Sequence, residues 1–354
     1  MQKYLRFALL FFFAVFLLWL FGRNLDWQQV GSSLRTADPV DLGLAVFIIC
    51  IGYFLRAVRW QILLSPLTES SLKELFATTT VGFAAIFLIG RAAEIVRPMW
   101  LPMRDPRVRP GVAVVTLGME RVFDLASLIS FFSLSLIWFN APPGHASEVA
   151  SIKLVGNVLL AGVVAGIIGL VIYQKKSEGI IRWFSGMTDR KFMRGRIRSI
   201  VLSLMRQLAT SLTVMVSARA IFWVSFWTIM LWLAISIPTW LVLRAFDLPL
   251  SFVDSIFVMG VASMGSLVPT PGGAAGAFHA ATAGSLLLLG IHQDTAAAVS
   301  IIMHLVYFAP AIVFGLYYFL HGDISVARFR SLMSGENAVE EIESDSPNFE
   351  KNAS

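Results

Sequence analysis

Two clusters of ionisable residues sit in strongly apolar surroundings. Arg91, Glu94 and Arg97 fall in the run Gly90–Pro98, and Glu120, Arg121 and Asp124 lie early in a long hydrophobic stretch. At membrane depth each such group costs roughly 2.5–3.5 kcal/mol on insertion scales, so it is expected to pair and to face protein or a wet cavity. Arg91, Glu94 and Arg97 are spaced i, i+3, i+6, which on a helix lets Glu94 pair with either arginine. Two guanidinium groups around one carboxylate leave a net positive site, and the planar arginine fork suits phosphate. The plainer alternative is that these arginines mark the cytoplasmic end of a hairpin. Glu120 and Asp124 are i, i+4 and stack on one face, with Arg121 in reach of Asp124. Two stacked carboxylates need a cation, which Arg56 and Arg59 or Arg91 and Arg97 can supply. A headgroup site and a buried ion-pair network that fixes helix packing both fit this pattern. Arg56 and Arg59, beside Trp60, also fit snorkelling anchors.

Weaker signals lie further on. Pro269-Thr270-Pro271-Gly272-Gly273 reads as an unwound turn opening onto the small-residue stretch Ala274–Ala283. Free N–H groups at such a helix start favour an anion, while small residues equally favour close helix packing. His279 follows the glycines, and His304 and Tyr307 are i, i+3 in the last apolar run. Either histidine can carry a proton, bind a headgroup or serve as a packing residue. The chain has no phosphate loop, no HExxH zinc spacing and no serine nucleophile elbow. With one cysteine, Cys50, it can build no disulfide framework. No cofactor, metal or catalytic residue is expected, and a transporter-like protein is favoured over an intramembrane enzyme.

The elements that must hold these groups are transmembrane helices. Of 354 residues, 57% are hydrophobic and 14% charged, against about 25% charged in soluble domains. A helix spans the bilayer with about 20 apolar residues. Full spans are predicted at about Tyr4–Phe21, Val40–Leu64, Val112–Phe139, Ile152–Tyr173, Ala220–Ala245 and Thr295–Leu320. The first reads as a retained anchor. Two segments, Phe76–Ile89 and Ser255–Pro269, are shorter and run into glycine or proline breaks, the pattern of broken helices around a binding site. The fold predicted is all-α and polytopic: about six spans plus two re-entrant or broken hairpins in an inverted repeat.

Charge sets the orientation. Residues 91–110 carry five arginines, and the segment 174–219 carries ten Lys or Arg against Glu178 and Asp189. A re-entrant first hairpin keeps both groups inside, as the positive-inside rule prefers. The second hairpin then enters from outside, and both termini are cytoplasmic. Aligning Ile89–Arg97 with Pro271–His279 gives three identities in nine, thin support for the repeat. Residues 1–333 form one membrane domain with a basic cytoplasmic loop at 174–219, and 334–354 form a disordered acidic tail. Within the loop, residues 194–208 read either as an amphipathic helix on the inner leaflet or as ordinary basic loop. The net charge of +6 comes from residues flanking apolar runs and does not imply nucleic acid.

At Gly90-Arg91-Ala92-Ala93-Glu94, Glu120-Arg121-Val122-Phe123-Asp124 and Pro271–Phe278 the chain resembles the lysylphosphatidylglycerol synthetase/flippase transmembrane-domain family, the membrane half of the multiple peptide resistance factor. The likeness covers about residues 4–320 and includes Arg56, Arg59 and Trp60. It implies an integral inner-membrane protein linked to moving a lipid between leaflets. The family more usually carries an acid where His279 stands and an arginine where His304 stands. The chain also shows no counterpart of the soluble aminoacyl-transferring domain, so lysylphosphatidylglycerol is not implied as substrate.

The expected function is a lipid translocase of the bacterial inner membrane, holding an anionic or polyisoprenoid headgroup between two inverted halves. Arg91, Arg97 and Arg121 would neutralise the headgroup, with Glu94, Glu120 and Asp124 keeping the site paired. The expected partner is a membrane phospholipid or isoprenoid lipid. The alternatives are a small-anion secondary transporter and a non-catalytic membrane partner of a lipid-modifying or glycosyltransferase enzyme.

Overall fold

A computed structural model describes residues 27–139, 144–188, 195–212, 218–268 and 271–322. The expected span Tyr4–Phe21 and the acidic tail lie outside the described residues. Among those described, eleven α-helices and one 3-10 turn occur, and no strand. The helices are α1 (Trp27–Thr36), α2 (Pro39–Leu64), α3 (Leu72–Ile89), α4 (Val96–Arg104), α5 (Pro110–Trp138), α6 (Ala146–Thr188), α7 (Gly195–Ser211), α8 (Ala218–Ala245), α9 (Phe252–Gly265), α10 (Pro271–Leu288) and α11 (Gln293–Leu320). Five helices are long and apolar enough to cross a membrane: α2, α3, α6, α8 and α11. The fold is an all-α polytopic membrane protein.

Three boundaries differ from the sequence expectation. Helix α3 begins at Leu72, not Phe76, and its 18 residues are long enough to span. Ser71 starts it earlier by accepting the Glu74 N–H, a cap that the apolar count ignores. Helix α6 runs 43 residues, about 65 Å at 1.5 Å per residue. It and α7 turn most of the expected loop 174–219 into helix. Helix α7 packs on α5 and α6, where the Tyr173 hydroxyl donates to the Met205 carbonyl at 3.0 Å.

The first hairpin closes on itself. Gly90 ends α3 with φ 97° and ψ −173°, a conformation that favours glycine. A 3-10 turn (Arg91–Ile95) follows, and α4 then packs back against α3. At the base, Arg104 pairs with Glu74, and the Ser70 hydroxyl donates to Asp105 at 2.8 Å. The hairpin therefore enters and leaves at one end of the bundle. The second hairpin, α9 and α10, starts from the opposite end, where Ser251 and Asp254 form a capping box. Its arms touch so closely that a Cβ on Gly265 would stand 2.6 Å from the Ala277 carbonyl oxygen. Ala274 adopts φ 63°, a left-handed distortion in the first turn of α10.

The halves interlock reciprocally. Helices α2 and α8 lie against each other, α3 of the first hairpin packs on α11, and α9 of the second packs on α5. These are the pairings that an approximate twofold between inverted halves produces. The turn of the first hairpin meets the second hairpin, where the 3-10 turn touches α10.

Candidate functional site: paired charges beside an amphiphilic cavity

The charges divide into two groups with different surroundings. Arg97, on the returning arm of the first hairpin, pairs with Glu120 in the eleventh position of α5. The bond is a fork: Nη1 to Oε1 at 2.6 Å and Nη2 to Oε2 at 3.2 Å. Nη2 also donates to the Thr79 hydroxyl of α3 at 3.2 Å. The guanidinium lies 4.7 Å from the Trp60 ring centre, and the Trp60 indole donates to Thr116 at 3.1 Å. Arg97 is 1% exposed and Glu120 0%. This clasp joins α2, α3, α4 and α5 and does not line the cavity described next.

Asp124, one turn further along α5, gathers three cations. Arg59 Nη2 lies 2.6 Å from Oδ1, Arg56 Nη1 3.4 Å from Oδ2 and Arg121 Nη1 4.0 Å from Oδ2. Arg59 is wholly buried, whereas the Arg56 and Arg121 side chains are 16% and 37% exposed. Arg56, Arg121, Asp124 and Glu94 all line one cleft of about 910 Å³. The cleft wall itself carries two guanidinium groups against two carboxylates, and the buried Arg59 behind Asp124 makes the whole cluster net positive. Leu125 and Leu267 line the same cleft, yet are 52% and 57% exposed, so it opens beside an apolar surface.

A second chamber of about 820 Å³ adjoins it, sharing Arg56, Phe83, Trp232, Ser263, Ser266 and Phe308 with the first. Ile49, Leu231, Ile235 and Met259 make its walls apolar. Tyr53 and Tyr307 brace it: the Tyr53 hydroxyl donates to the Tyr307 carbonyl at 2.8 Å, and the Tyr307 hydroxyl to the Ile235 carbonyl at 2.9 Å. The cavity thus keeps Glu94, Arg121 and Asp124 in the first chamber, shares Arg56 between the two, and has mainly apolar walls in the second.

The histidines line neither chamber and pack behind Phe278 and Phe308, which line the second. His279 on α10 and His304 on α11 have ring centres 4.9 Å apart and are 7% and 5% exposed. Phe278, Phe87 and Phe308 surround His304 at 5.1, 5.6 and 5.0 Å. Arg97 and His279 are the residues that the nine-residue alignment equates. Each stands on the returning arm of its hairpin, against the middle of the following helix. The side chain of Arg91 and the surroundings of Gly272 and Gly273 fall outside the described residues. Sequence reasoning missed Thr79, Phe83, Tyr53 and Trp232. Phe83 sits under Arg56 at 5.0 Å. The run Thr78-Thr79-Thr80 in an otherwise apolar helix was the one readable signal, since all three are fully buried.

The family model for the lysylphosphatidylglycerol synthase TM region matches residues 5–315. The chain belongs to that family. It is also similar to the glycosyltransferase AglD of Haloferax volcanii, 25% identical over 338 residues, covering 85% of this chain and 52% of that protein. The chain therefore spans about half the length of this curated relative.

Proposed function

We propose that this family member is a flippase-like lipid translocase. The charged cleft takes an anionic or polyisoprenoid lipid headgroup, and the adjoining apolar chamber takes the first part of its hydrocarbon. The observation that carries this reading is the two-part cavity, whose charged end opens beside exposed Leu125 and Leu267. A soluble anion gains nothing from a greasy chamber and an apolar mouth, whereas a lipid uses both. Arg56 and Arg121 serve as the headgroup contacts because they line the cleft. Arg97 and Glu120 act as structural support because they do not. We place the protein in a bacterial inner membrane, with the first hairpin's base and both termini cytoplasmic, as the basic segments favour.

The likeness to half of a glycosyltransferase favours a second reading, a membrane partner for an enzyme that modifies the same lipid. Reconstitution in liposomes separates the two. Wild type should move a fluorescent anionic lipid between leaflets, and Arg56→Gln and Arg121→Gln should slow it while leaving the melting temperature near wild type. If no lipid in an anionic, zwitterionic and polyprenyl-phosphate panel moves faster than in empty liposomes, the translocase reading fails. Stimulation of a co-reconstituted glycosyltransferase would then support the partner reading.

A further inference from the structure

The three arginines around Asp124 do not hold it equally, and the inequality follows their position. The contact of 2.6 Å comes from Arg59, which is wholly buried and does not line the cleft. The contacts of 3.4 and 4.0 Å come from Arg56 and Arg121, which do line it. Arg59 Nε, Nη1 and Nη2 and Asp124 Oδ1 make no hydrogen bond among the described residues, so Arg59 holds Asp124 as a close, buried ion pair, and the one hydrogen bond to Asp124 from an arginine comes from Arg56. A buried carboxylate must keep a counterion. Here the buried arginine alone supplies one, and the two cleft-facing arginines can release Asp124 without stranding it.

Resting on the translocase reading, we propose that Arg56 and Arg121 form a subsite for a phosphate-type oxyanion, with Asp124 the internal counterion that the ligand displaces. The two guanidinium forks offer several N–H donors at the cleft wall, the geometry that phosphate oxygens accept. As the headgroup binds, Arg56 and Arg121 swing from Asp124 to it, and Asp124 stays with Arg59. On release, Asp124 recovers both cations, so neither state leaves a bare charge at depth. The carboxylate therefore weakens binding: it competes for the two arginines, which suits a site that must let its cargo go.

The test is equilibrium binding of a fluorescent phosphatidic acid to the purified protein in maltoside micelles. The matching diacylglycerol is the uncharged control, and inorganic phosphate is titrated in parallel. Asp124→Asn should bind phosphatidic acid about tenfold tighter than wild type, the order expected when a unit charge a few ångströms away is removed at a partly wetted site. Arg56→Gln should bind it more weakly, and diacylglycerol should not distinguish the variants. Because Asp124→Asn leaves Arg59 unpaired, the double variant Arg59→Gln/Asp124→Asn removes both buried charges together and should show the same tightening. Unchanged or weaker binding of phosphatidic acid by a folded double variant overturns the displacement proposal and leaves the translocase reading standing. The same tightening for inorganic phosphate alone supports the subsite and overturns the lipid reading. Failure of wild type to bind either phosphate-bearing probe overturns both.

Discussion

The Arg97–Glu120 clasp is the part of the charged cluster whose energetics can be worked out most directly. Both side chains are buried, and the pair is bidentate. Removing one partner leaves the other charge without compensation, which costs about 3–5 kcal/mol; replacing both with apolar side chains is often close to neutral. Arg97→Met strands Glu120 and takes a donor from Thr79. It also removes the guanidinium face from the Trp60 ring, an interaction of about 0.5–2 kcal/mol. The remaining stem keeps its packing against Gly82, where even a Cβ would approach Arg97 Cγ to 2.1 Å. The loss expected for Arg97→Met is therefore about 4 kcal/mol, with the same order for Glu120→Met. The double variant should recover most of it. At about 2–4 °C per kcal/mol in domains of 150–250 residues, and less in a longer chain, each single variant falls by several degrees. The assay is thermal unfolding of the four proteins in one detergent, read as a double-mutant cycle. If the two single losses simply add in the double variant, the clasp carries no coupling and the argument fails. If Arg97→Met keeps wild-type stability but loses lipid movement, Arg97 belongs to the headgroup site instead.

Three other consequences can be checked on the same preparations. Gly315→Ala places a Cβ 2.6 Å from the Thr80 carbonyl oxygen, so α3 and α11 must separate, and a loss of about 1–3 kcal/mol in thermal unfolding is expected. Asp105 sits at the base of the first hairpin, and hydrogen bonds from the Arg107 side chain hold its carboxyl below the ordinary value of 3.8. Its ionised form therefore adds stability at neutral pH that is lost as pH falls through that lowered value. The stability deficit of Asp105→Asn should be largest near neutrality and vanish in strong acid, and a deficit independent of pH would refute the link. Finally, the exchange His279→Glu with His304→Arg should be tolerated together, because the rings face each other at 4.9 Å, while either single change buries an unpaired charge and lowers the melting temperature.

What the sequence made legible follows from what local spacing encodes. Glu120 and Asp124 at i, i+4 announced that cations must come to α5, and Arg56, Arg59 and Arg97 were among those named. Spacing could not say which cation goes to which acid, because that depends on how α2 and α4 are rotated against α5. Nor could it separate the buried clasp from the cleft-lining cluster, since the two acids differ by one helical turn and the decision lies with Trp60 and Thr79 on other helices. The apolar chamber was invisible for the same reason: Ile49, Ile235 and Met259 look like ordinary lipid-facing residues until α2, α8 and α9 enclose them. Helix ends were missed where a polar cap, Ser71, lies outside the apolar run.

The two hairpins show how a weak sequence signal can hold structural content. Three identities in nine were slight grounds for equating Arg97 with His279. Yet each residue sits on a returning arm and faces the middle of the next helix, Glu120 in the eleventh position of α5 and His304 in the twelfth of α11. In one half the contact is a charged clasp sealed from the cavity. In the other it is two imidazoles packed among Phe87, Phe278 and Phe308. An ion pair at that depth resists separation, because parting it bares two charges. Two aromatic rings part at the smaller cost of lost packing. If one hairpin moves while a lipid crosses, the second is therefore the cheaper to displace, and the first serves as the fixed wall against which Arg56 and Arg121 present their donors.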